Sequence, residues 1–129
     1  MPTNIAEYFS DELIDWTNAI NFYTGEMEQV KDKLGEIIRR NSIVDIAEKV
    51  EEHQNLLDDV SNKFTRLQFD FKDQDEALRR NGNFVEDTLL DLKTEEQQNR
   101  LRNLMQETEK EYIDVKFICG KFILGTLKK

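Results

Sequence analysis

The stretch FSDELIDWTNAINFYTGEMEQVKDKLGEI, residues 9–37, decides how this chain folds. Through it runs the series Phe9, Leu13, Trp16, Ile20, Tyr23, Met27, Val30, Leu34 and Ile37, in alternating four- and three-residue steps without a miss. That spacing keeps one stripe on one side of an α-helix for about four heptads, and it specifies helices packed side by side. Asp11, Asn18, Gly25, Asp32 and Arg39 lie farthest from the stripe, and all are small or polar. A strand, with its period of two, cannot produce this series.

The next segment repeats the pattern with Ile43, Ile46, Val50, His53, Leu57, Val60, Phe64, Leu67, Phe71, Gln74 and Leu78. Between the two lies Arg39-Arg40-Asn41-Ser42. The arginines suit the negative end of a helix dipole, Asn41 a left-handed cap and Ser42 a new N-cap. Arg79, Arg80 and Asn81 end the second helix alike, and Gly82 and Asn83 complete a turn signal. Acid–base pairs such as Asp45/Lys49, Asp59/Lys63, Asp75/Arg79 and Glu76/Arg80 stand four residues apart in the favourable order.

The third segment is less regular. Val85, Leu89 and Leu92 form one stripe, and Leu101, Met105, Thr108, Tyr112, Val115, Cys119 and Phe122 resume heptad spacing. At about 100° per residue, Leu92 and Leu101 fall on opposite sides of a continuous helix. Either the helix breaks near Lys93, with Thr94 as N-cap and Gln97 closing a capping box, or the seam shifts through Leu90; the break is the leading expectation. The reading is therefore all-α: one domain over 1–129, an elongated antiparallel up-down bundle of three long helices. Their expected spans are 5–40, 43–80, and 84–92 followed by 95–124. Rods of 36–38 residues would each be about 55 Å long.

Composition agrees. Charged residues make up 35% of the chain against 38% hydrophobic, which suits helices that bury one stripe each. Proline occurs once, at Pro2, so no helix is interrupted. The net charge of -9 excludes a nucleic-acid surface, which needs a cationic footprint. All 27 acids lie at or before Asp114, while Lys116, Lys121, Lys128 and Lys129 follow it. The single cysteine, Cys119, excludes an internal disulfide and fits a cytoplasmic location. The N-terminus shows no secretory signal pattern, and no apolar run reaches the roughly 18 residues of a membrane span.

Catalytic and cofactor chemistry find no purchase, and no enzyme activity, cofactor or metal is expected. Di-iron bundles need two Glu-x-x-His motifs, but Val50 stands three before His53, the lone histidine. Haem and hemerythrin-like sites lack ligands for the same reason. Cys119 sits between Ile118 and Gly120 in the most apolar stretch, as an inert core thiol does. The five glycines are scattered and form no phosphate loop. His53 and Gln74 read as buried polar residues that fix helix register, although His53 could also centre a ligand or metal site.

Two features point to interaction. Phe69 occupies the outer position filled elsewhere on its helix by Glu48, Asn55, Asn62 and Glu76. The tail VKFICGKFILGTLKK is apolar nearly all round, with Phe117, Phe122, Ile123 and Leu124 as contact candidates. It would fill one end of the bundle, pack against another chain, or dock on an anionic membrane, which the acidic body opposes. The leading expectation is a non-enzymatic module that meets another protein or itself. The alternatives are a ligand- or metal-housing bundle and a small acidic chaperone or membrane-associated adaptor working through the tail.

The first half also resembles a group of small uncharacterised helical proteins of bacteria, common among Bacteroidetes. The matching residues are Phe22, Tyr23, Glu26, Leu34, Glu36 and Asn41, then Val50, Glu51, His53, Gln54 and Asn55. This chain departs by an extra Glu52 and by lacking a Phe after His53. The resemblance implies a bacterial cytoplasmic helical protein and supplies no activity.

Overall fold

The structure, a computed structural model, describes residues 3–40 and 44–127. It is an all-α bundle of three long helices, α1 (Ile5–Arg40), α2 (Val44–Ala77) and α3 (Leu92–Leu127). Asn4 starts α1 by accepting the Glu7 N–H on its Oδ1 at 2.8 Å, and Arg39 and Arg40 close it against the dipole. Asn41, Ser42 and Ile43, read as a turn and the next seam residue, lie outside the described residues.

The chain divides into two compact units, each built from one stretch of every long helix. The first comprises Met1–Asn21 and Phe64–Glu107. Leu13, Ile20, Phe64, Leu67, Phe71, Leu78, Leu101 and Met105 fill its core, and the indole of Trp16 tilts against Phe71 with ring centres 5.5 Å apart. Here Ser10 meets Asp75 and Asn21 meets Gln68, so α1 and α2 run antiparallel. Phe9 meets Gln98 and Glu12 meets Arg102, so α3 runs parallel to α1.

The second unit comprises Phe22–Lys63 and Thr108–Lys129. Met27, Leu34, Ile37, Val50, Leu57, Val60, Tyr112, Val115, Cys119 and Ile123 form its core. Lys31 pairs with Asp58 across α1 and α2, and Lys63 with Glu111 across α2 and α3. Each large aliphatic side chain buried in these seams contributes about 1.5–3 kcal/mol relative to exposure. The single exposed pairs add at most about 1 kcal/mol each, so the seams hold the fold.

The segment between α2 and α3 corrects the sequence reading. The second helix stops at Ala77 rather than residue 80. Arg79–Arg80 (β1) and Asn83–Phe84 (β2) pair as a hairpin, with Arg79 opposite Phe84 and Arg80 opposite Asn83. Asn81 and Gly82 both have positive φ, 55° and 82°, the two-residue turn whose twist matches paired strands. That turn draws the arginines off the helix, and Arg79 lies 4.2 Å over the Phe84 ring. Val85 N–H then donates to Leu78 O at 2.9 Å.

The helix expected over 84–92 is replaced by β2 and one 3-10 turn, Asp87–Leu89. Asp87 accepts the Ile5 N–H of α1 at 2.8 Å, which anchors this turn to the start of the first helix. The break expected near Lys93 falls just before α3. Asp91, not Thr94, is the cap: its Oδ1 accepts the Lys93 N–H at 2.7 Å, and its carbonyl accepts from Thr94 and Glu95. An aspartate standing three residues ahead of Thr94 caps first, and the helix then runs unbroken to Leu127.

Candidate functional site

Of the residues singled out in the sequence, Gln74 and Ile123 are buried, His53 stacks on Phe122, and Phe69, Phe117 and Leu124 face outward. In the first unit Gln74, buried as expected, donates its amide to Gln98 Oε1 at 3.0 Å and to Thr94 O at 2.9 Å. Gln98 is wholly buried and donates in turn to Phe9 O and to Glu12. Both oxygens of Glu12 receive Arg102, whose guanidinium is held still more basic by that carboxylate. Gln98 is hard to recognise as a core residue in the sequence, because a glutamine gives no apolar signal. The three- and four-residue steps to Leu101 and Met105 were the available signal.

The same unit has an open groove of about 350 Å³ between α1 and α2, lined by Leu13, Ile14, Phe71, Asp75 and Arg79 among others. Three of its polar side chains, Ser10, Asp75 and Arg79, are joined to one another. Ser10 donates to Asp75 at 2.7 Å, and Asp75 pairs with Arg79 at 3.1 Å, as the four-residue spacing predicts.

In the second unit His53 is half-buried rather than enclosed. Its ring stacks on Phe122 with centres 4.2 Å apart and 16° between planes, and Nδ1 lies 2.6 Å from Lys49 O. One ring nitrogen is thus committed to the helix backbone, and the ring packs on Phe122. Among the described residues no group of three His, Cys, Asp or Glu side chains could hold a metal ion. Cys119 is buried, and burial pushes its thiol up to about 11. A thiol in that state is a poor nucleophile near neutrality.

The same unit carries a tyrosine–carboxylate cluster. Tyr23 donates to Glu109 at 2.6 Å and Tyr112 to Glu26 at 2.6 Å, with the two rings 4.7 Å apart. The hydrogen bond to Glu109 first, and burial second, push Tyr23 up to about 12. Burial and the bond to Glu26 raise Tyr112 as well. Lys116 and Tyr112 hold Glu26 below the ordinary carboxylate range. Phenols raised this way keep their protons, which suits them to structure rather than to acid–base turnover.

The C-terminal tail does not present an apolar surface all round. Val115, Cys119 and Ile123 point into the core and Phe122 is half-buried on His53, so Phe122 and Ile123 are not available as the outward contacts expected. Phe117 and Leu124 are outward, 64% and 60% exposed, and Ile113 joins them at 60%. With Gly120 they follow four-, three- and four-residue steps, a second stripe about 130° around α3 from the buried one. Phe117 and Leu124 are legible as contact candidates in the sequence, whereas the stripe they belong to is masked by the buried heptad of the same helix. Phe69, on α2 in the first unit, is 67% exposed as expected.

Among the described residues no helix is long and apolar enough to cross a membrane. No protein-family model, curated protein or solved structure matches the chain.

Proposed function

We propose that this chain is a non-enzymatic protein–protein interaction module working in the cytoplasm. The observation that carries the reading is the stripe Ile113–Phe117–Gly120–Leu124 on the outward side of α3. Scattered exposed apolar residues are ordinary, but three large ones aligned at heptad spacing form a ready-made seam for another helix. The inward groups support the same reading. Gln74, Gln98, Tyr23 and Tyr112 bond to neighbouring protein groups, and Cys119 is shielded, so the chemistry-bearing side chains are engaged in holding the bundle together. The cytoplasmic location is supported by a lone cysteine left as a free thiol.

The test is affinity purification of the tagged chain from its native cell, beside an Ile113→Ser/Phe117→Ser variant. Both replaced side chains are exposed, so the variant keeps its fold by circular dichroism. Co-purifying species, including untagged copies of the chain itself, are expected to fall at least about tenfold, the loss of roughly 1.4 kcal/mol of contact. Identical capture profiles would sink the proposal.

A further inference from the structure

We infer that the outward stripe of α3 is a self-recognition surface that pairs with the same stripe of a second copy, the two helices running antiparallel. This rests on the reading of the chain as an interaction module and names its partner. The stripe is self-complementary about a two-fold axis between Phe117 and Gly120. Antiparallel pairing sets Phe117 against Gly120 of the second copy, and Ile113 against Leu124 of the second copy. A Cβ added at Gly120 would meet nothing within 4 Å, so the helix surface there is open and a phenyl ring can seat on it. The same symmetry applies the fit twice, as an isologous interface requires.

Charge decides the orientation. Asp114 and Lys121, both exposed, directly follow the stripe positions Ile113 and Gly120 and so flank the seam on one side. Glu109 and Lys116 flank it on the other. Antiparallel helices bring like-flank positions together, which places Asp114 beside Lys121 of the second copy, twice. Parallel helices would instead bring Glu109 to Asp114 and Lys116 to Lys121, like charges at both contacts. Flanking charges of this kind set partner orientation in paired helices. Lys121 already lies against the stripe, its ammonium 5.3 Å from the centre of its own Phe117 ring. A parallel pair would also stack Phe117 on Phe117 and leave a gap at Gly120.

Sedimentation equilibrium of the full chain, from micromolar concentration to about 1 mM, reads the association down to millimolar Kd. A monomer–dimer equilibrium is expected. Phe117→Ser, Asp114→Lys and Lys121→Asp should each raise Kd about tenfold or more, through lost burial or two repulsive contacts. Combining Asp114→Lys with Lys121→Asp should restore Kd to within about threefold of the natural chain, since the opposite charges meet again. All three positions are exposed, so none of the variants is expected to unfold.

A chain that stays monomeric throughout the range overturns the inference. So does a dimer whose paired charge swap fails to recover, because that removes the antiparallel register. If the chain is monomeric while Ile113→Ser/Phe117→Ser still loses a different captured protein, self-pairing falls and the interaction module stands. If the chain is monomeric and capture is unchanged, both fall.

Discussion

The imidazole of His53 lies almost parallel to the ring of Phe122, 4.2 Å away, and joins α2 to α3 in the second unit. With Nδ1 held 2.6 Å from Lys49 O, the ring behaves as a flat packing element with one polar edge. His53→Leu gives up a hydrogen bond worth about 1 kcal/mol and gains a similar amount of apolar burial in the seam. Urea denaturation should show a stability change of no more than about 1 kcal/mol in either direction, with self-association unaltered. A loss above about 2 kcal/mol, or a changed Kd, would assign His53 more than packing.

The glutamine pair of the first unit should behave differently. Gln74→Leu strips Gln98 Oε1 and Thr94 O of a donor in a buried setting, at a cost of about 1–3 kcal/mol. Gln98→Leu removes the donor to Phe9 O as well and should cost more. The double variant should cost less than the two singles together, by about 1 kcal/mol, because one partner's loss already orphans the other. Strict additivity in a double-mutant cycle would mean that the bond contributes nothing.

Two glycines make a matched contrast. Gly82 has φ of 82°, where a Cβ is strained, and Gly82→Ala should destabilise by about 1–2 kcal/mol. Gly25 lies inside α1 with nothing within 4 Å of an added Cβ, and Gly25→Ala should stabilise by about 0.5–1 kcal/mol. Thermal melting of both variants checks the signs, and equal shifts in one direction would contradict the turn geometry.

The tyrosine cluster sets an alkaline limit. Tyr23 rises in the folded state from 10.0 to about 12, and Tyr112 is raised too. The folded state therefore favours the protonated phenols. Their contribution is whole below pH 10 and is lost as pH rises towards 12. Glu26, lowered in the folded state, contributes above its ordinary 4.5 and loses that contribution as pH falls below it. A tyrosinate absorbance titration should show late ionisation coinciding with unfolding, and Tyr112→Phe should flatten the alkaline limb.

Much of this molecule was legible in its sequence, for a physical reason. A heptad seam is a property of one helix, so Leu13, Ile20, Met27, Leu34 and Ile37 announce their burial through spacing alone. The same holds for Val50 through Leu78 and Leu101 through Cys119. Residues 79–92 resisted because short-range signals compete there. Asn81-Gly82 favours a hairpin turn, while Asp91 and Thr94 both make acceptable caps, and only tertiary contacts such as Ile5 with Asp87 select among them. The outward stripe is hard to read in the sequence because one helix carries two heptad series, and the buried one is the longer.

Cys119, shielded in the core and shifted to about 11, leaves the native protein without a fast-reacting thiol among its described residues. A cysteine introduced at Phe69 or Lys110 would therefore take up a maleimide probe selectively, with the natural Cys119 left in place. The molecule is ready for spin-label and fluorescence distance measurements in its own sequence background, including those that would report one copy approaching another.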